Sequence, residues 1–218
     1  MPDWRERATR AESRYLDGEQ RRPDDPDTLQ RQLTRMGNAA GAAGLSLLMA
    51  GDRAAANEWF GRAADRYRES YGDAPAGSWG RPIGAVKARV LAGDWDGAAR
   101  DATWALDEGA AASDSAIGRY AACLASLVLG RWEDARVLAD GLRIHDGFPH
   151  AVGDSLAAIA ADDPIGYIEG IEAVLESFET RAEFLEDIPV ADTVIVLQAL
   201  AARRGLTAPL SSPFLPAD

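Results

Sequence analysis

The sequence predicts an all-α protein built from antiparallel helical hairpins, and three observations carry that prediction. Apolar residues recur three and four apart in segment after segment, and no stretch alternates convincingly at period two as a half-buried strand would. Glycine turns at Gly51, Gly93 and Gly130 each separate two such segments. Each turn glycine is followed at the same offsets by small or apolar residues: Ala56, Ala98 and Ala135, then Phe60, Ala102 and Ala139, then Ala63, Ala105 and Leu142. Those offsets share one helix face, and small side chains there let two helices pack closely.

The elements follow in order. Asp3–Leu16 predicts a charged first helix with Trp4, Ala8, Ala11 and Tyr15 at helical spacing, ended by Asp17-Gly18 and the two prolines of RRPDDPD. Asp27 or Thr28 caps the next helix, which runs to about Ala50. Its glycines Gly37, Gly41 and Gly44 cost helix propensity, roughly 1 kcal/mol each relative to alanine. Their retention predicts close approach of a neighbouring helix. Gly51-Asp52 turns the chain into Arg53–Glu69, which buries Ala56, Phe60, Ala63 and Ala64. A loop rich in Gly and Pro spans Tyr71–Pro82.

Ile83–Leu91 and Trp95–Leu106 form the next pair around Gly93-Asp94. Ser113-Asp114-Ser115 offers caps for a helix through Leu129, and Trp132–Leu142 returns after Gly130-Arg131. After the loop His145–His150, Ala151–Ala161 and Ile165–Phe178 flank Asp162-Asp163-Pro164, where an aspartate cap precedes a proline at the first helical position. Ala191–Arg204 is the last helix, stopped by Gly205, and the proline-rich tail LTAPLSSPFLPAD is expected to lie extended over the array.

Ala39–Tyr67 resembles a tetratricopeptide (TPR) repeat. Gly44 matches the small residue of the family's first helix, Gly51-Asp52 its turn, and Ala56, Phe60 and Ala63 its second helix. Trp95 and Trp132 share a further register, two residues after their turn glycines. The other copies depart from the family: only Phe60 keeps its aromatic, and turn glycines 42 and 37 residues apart depart from the family spacing. The resemblance implies antiparallel hairpins stacked in a compact right-handed array of about eight to ten helices. It divides one domain, 1–218, into capping helices (1–37), hairpins (38–179) and a C-terminal helix with its tail (180–218). A second, shorter resemblance lies in DTVIVLQALAARRGL (Asp192–Leu206) and SPFLP (Ser212–Pro216), which look like the ending of the immunity 49 family of all-helical toxin-neutralising proteins.

Composition bounds the partners. The 218 residues hold 22 Asp, 13 Glu, 22 Arg and a single lysine, Lys87, for a net charge of −12. Such a surface opposes nucleic acid and anionic membranes. Short carboxylates in excess with almost no lysine resemble proteins that work in high salt, although a GC-rich genome also produces a lysine-poor, arginine-rich chain. Met1–Arg10 carries no apolar segment behind a basic start, the longest uncharged run is too short and glycine-rich to span a bilayer, and the lone Cys123 excludes an internal disulfide. The location expected is cytoplasmic.

The chemistry-bearing residues read as structural. His145 and His150, with Asp146 and Asp154, have no cysteine nearby and fall in a loop interrupted by Pro149, so they are expected at the surface. Glu169, Glu172 and Glu176 share a helix face but lack the histidine partner of a di-metal site, and read as a solvated acidic stripe. Cys123, within AACLA, reads as buried and inert. No phosphate-cradling loop, GxSxG elbow or HExxH helix is present, so neither enzyme chemistry nor a cofactor is expected.

Binding is expected instead, to a protein or peptide. In a TPR-like array the first helices line the concave face, here Leu45, Leu48, Met49, Ile83, Lys87, Val90, Leu91, Tyr120, Leu124, Leu127 and Val128. That face is too apolar for open water, and cover by the chain's own ends is expected before cover by a partner. Lys87, Arg89, Arg119, Tyr120 and Leu48 are the candidate partner-binding residues. A toxin-neutralising immunity protein is the alternative function, and an enzyme with an unrecognised site a further one.

Overall fold

In a computed structural model, residues 3–217 are described; Met1, Pro2 and Asp218, which the expected capping and tail regions include, lie outside them. The described residues form ten α-helices and two short 3-10 turns, with no strand. The helices are α1 (Trp4–Gln20), α2 (Pro26–Met49), α3 (Arg53–Glu69), α4 (Gly80–Ala92), α5 (Trp95–Asp107), α6 (Ala116–Val128), α7 (Trp132–Arg143), α8 (His150–Ala161), α9 (Pro164–Glu179) and α10 (Asp192–Ala202). None is long and apolar enough to cross a membrane.

Local chemistry sets the boundaries. Asp3, Asp25, Asp52, Asp94, Ser115 and Asp163 each accept a backbone N–H from the first turn of the helix they precede. The cap of α2 is Asp25, ahead of the expected Asp27 or Thr28, because Pro26 occupies the first helical position. Helix α1 runs past Gly18, whose missing side chain admits Met36 of α2.

Four hairpin turns repeat one conformation. Gly51, Gly93 and Gly130 take the left-handed region at φ 79, 69 and 70°, and Asp162 takes their place in the fourth turn at φ 59°. The residue after each turn is the next helix's N-cap. Arg131 is the one of the four whose side chain makes no cap hydrogen bond.

Helices adjacent in sequence pack against one another from α1 to α9. Helices α2, α4 and α6 also touch one another in turn, forming an inner row, and α10 returns to lie against α4, α8 and α9. Most of the expected concave face is buried: Leu48, Val90, Leu91, Tyr120, Leu124, Leu127 and Val128 belong to one continuous core. The tail folds back along α10, with Leu206, Ala208 and Leu215 buried and the Ala191 N–H donating to the Phe214 carbonyl at 2.8 Å.

Two arginines fasten α10. Arg203 stacks on Trp95 at 4.4 Å and donates to the Val128 carbonyl at the end of α6. Arg204 stacks on Trp132 at 4.5 Å and donates to the Ala160 carbonyl at the end of α8. Each therefore satisfies a helix-end carbonyl left without an intrahelical donor. The shared register of Trp95 and Trp132 thus has a structural use: both repeated tryptophans receive arginines from the turn that ends the last helix.

Candidate functional site

Between α9 and α10 the chain crosses the inner row as a strap, residues 180–191. Arg7 donates to the Asp187 carbonyl and Arg14 pairs with Glu186 at 2.6 Å, so α1 holds the strap from the far side. Ile188 and Val190 are buried, and Phe184 stacks on Phe214 of the tail. Glu186 and Asp187 sit at φ 56 and 58°, a region that costs non-glycine residues strain unless their surroundings hold them there.

Beneath the strap lies a cavity of about 500 Å³. Its walls mix Leu45, Ile83, Leu91, Phe178, Phe184 and Leu185 with polar Asn38, Tyr67, Arg81, Lys87, Arg181 and Asp192. A volume of this order suits a small ligand or a few side chains of a partner.

Glycines shape the cavity. A Cβ at Gly37 would come within 2.9 Å of the Tyr67 ring, and one at Gly84 within 2.8 Å, so this ring is held between α2 and α4. Gly44 likewise makes room for Phe60. The expected close approaches at Gly37 and Gly44 are thus made by aromatic side chains of α3. Gly41 differs: a Cβ there would meet nothing within 4 Å, and the residue lines the cavity.

Lys87 stands in the wall but is already engaged. Its Nζ donates to Asp192 Oδ2 at 2.6 Å and to Thr193 Oγ1 at 3.1 Å, across the contact between α4 and α10. Burial pulls its pKa down, and the negative charge and hydrogen bond of Asp192 outweigh that, leaving the pKa raised. With 16% of the lysine side chain and 30% of the aspartate's exposed, the pair works as a clasp between helices.

The remaining candidates stand elsewhere. Arg89, two residues beyond Lys87, points about 200° around the helix. It bonds Asp65, Asp94 and the buried Asp101 among α3 and α5 and does not line the cavity. Arg119 donates to the Gly141 carbonyl between α6 and α7 and likewise does not line the cavity. Tyr120 is buried against Phe148, and Leu48 is buried in the core; neither lines the cavity.

Tyr67, Asn38, Arg81 and Arg181 were not singled out from the sequence. Tyr67 donates to Asn38 Oδ1 at 2.8 Å, and burial, with Asp192 and Glu186 nearby, raises its pKa and keeps that proton in place. Arg81 is bound only by neutral groups, Gln30, Thr34 and Ser70, and burial lowers its pKa. Arg181 lies over the Phe178 ring at 3.6 Å.

The expected structural residues are placed as follows. Cys123 is buried with its thiol toward the Ala135 carbonyl, and burial raises its pKa. His150 is exposed with its Nδ1 2.9 Å from the Arg143 carbonyl oxygen, His145 is half-buried, and Asp154 pairs with Arg143. Glu169, Glu172 and Glu176 are exposed on α9. Among the described residues no cluster of three or more His, Cys, Asp or Glu is arranged to hold a metal ion. Compared with family models, curated proteins and solved structures, the chain finds no significant match.

Proposed function

We propose that the protein is a non-enzymatic, TPR-like helical-repeat module that recognises a protein or peptide partner at the strap and the mouth of the cavity. The observation that carries this reading is Leu185. It stands 72% exposed on the strap and, alone among the exposed large apolar side chains of the described residues, lines the cavity. The local chemistry also suits binding better than catalysis. The one thiol is buried against a carbonyl, and the cavity's lysine is held by an aspartate.

The test is a displayed peptide library selected against the full chain. Leu185→Arg should weaken a selected binder at least about tenfold, as loss of an apolar anchor does. Val137→Arg, at an equally exposed position on α7, should leave it unchanged. Equal affinity for the Leu185→Arg variant, or no selectable binder, would overturn the proposal.

A further inference from the structure

The cavity beneath the strap carries a charge pattern that recognition at its rim leaves unexplained. The chain has a net charge of −12, yet two arginines lining this cavity have no carboxylate partner within 4.0 Å among the described residues. Arg81 bonds neutral oxygens through Nε and Nη2, and its Nη1 has no hydrogen-bond partner among those residues. Arg181 is exposed at the cavity's mouth, where it lies over the Phe178 ring and bonds Ser177 through its Nε and Nη2, and its charge reaches Lys87. The Asn38 carbonyl is taken by Tyr67, which leaves the two amide N–H donors of the same side chain for the cavity. The two carboxylates in the wall are committed, Asp192 to Lys87 and Glu186 to Arg14. Around these donors stand Leu45, Ile83, Phe178 and Phe184, and Gly41 leaves the wall between them open.

We propose that the cavity binds a small amphipathic monocarboxylate, its carboxylate held by Arg81, Arg181 and Asn38 and its apolar body lying along α2 and the strap. Arginine is suited to this task, because its planar fork matches a carboxylate and it is desolvated more readily than lysine. A single carboxylate is argued from its shape: its two oxygens offer one acceptor to each guanidinium, and the apolar part of the wall takes an oily remainder. The proposal rests on the reading of the molecule as a binding module and adds a ligand beneath the rim that the partner meets.

The experiment is titration calorimetry of the full chain with decanoate, 2-naphthoate and 1-decanol. Saturable binding of one acid per chain is expected at a Kd below about 1 mM. The better acid should bind at least about tenfold more tightly than the alcohol, the scale of a charge-assisted hydrogen bond. Whether the alkyl or the aryl acid binds better identifies the body. Arg181→Gln should weaken the acid about tenfold with an unchanged thermal melt. Gly41→Phe, which fills open space, should abolish binding. Should Gly41→Phe lower the melt, Arg181→Gln alone decides. No saturable binding of either acid, equal affinity for the alcohol, or unchanged acid affinity in Arg181→Gln would each overturn the proposal. A peptide binder sensitive to Leu185→Arg would then leave the protein-recognition reading standing, so the two failures are separable.

Discussion

Lys87 shows how one residue changes meaning between sequence and structure. As the only lysine in an acidic chain it reads as a free charge in a groove, and its position on the inner row is where the repeat register puts it. Its partner, Asp192, lies 105 residues away, so no local pattern links the two. Tyr67, Tyr120, Cys123 and Lys87 all have raised pKa values in the folded chain, and burial pushes that of Tyr167 up to about 12. For each, the folded state holds its proton to higher pH than the unfolded chain does. The stability this contributes is complete below the unfolded pKa, near 9.0 for the thiol, and is lost as pH rises through the folded value. The melting temperature should therefore fall steeply above about pH 9, and Cys123→Ala should move the onset of that fall upward. A melt unchanged to about pH 11 would contradict the burial of these groups.

At the scale of elements, the helix starts were legible because capping is local chemistry. An aspartate or serine side chain meets an N–H two or three residues on, whatever the rest of the fold does. The third hairpin turn breaks the pattern, since Arg131 stands where the others have aspartate and provides no cap. Arg131→Ser should raise stability by about 0.5–1 kcal/mol. Chemical denaturation in molar salt, where the change in net charge is screened, would measure it. The docking of α10 was less legible. The repeated tryptophans were visible, but their arginine partners lie in another element. Arg203→Ala and Arg204→Ala should each cost about 1–2 kcal/mol, from a lost stacking contact and a lost carbonyl hydrogen bond. Hydrogen exchange should show the lost protection concentrated in α10 and the tail; a loss spread evenly over all helices would refute this docking.

The whole molecule is governed by a conflict between an apolar inner face and an acidic exterior. The face is covered internally, by α10 and the strap, as the excess of apolar residues on the inner helices required. The exterior is not resolved in the same way, because a net charge of −12 repels itself wherever the arginines are already paired. Raising KCl from dilute buffer to about 1 M should therefore raise the melting temperature, as the screening length shrinks to about 3 Å. A salt-independent melt would show that the ion pairs linking helices, such as Arg66 with Glu19, already offset the repulsion.

The sequence alone determined the fold class, the hairpin turns and most helix boundaries, since helical periodicity, left-handed glycines and caps act within a few residues. It also determined that the inner face needs cover. Only the tertiary structure decided what covers it and what the cover leaves open. Lys87 meeting Asp192, Arg203 and Arg204 meeting two tryptophans, and Tyr67 entering between Gly37 and Gly84 all join segments distant in the chain. The cavity exists because the strap spans the inner row above Gly41 without filling it, and spacing along a chain does not encode such a gap.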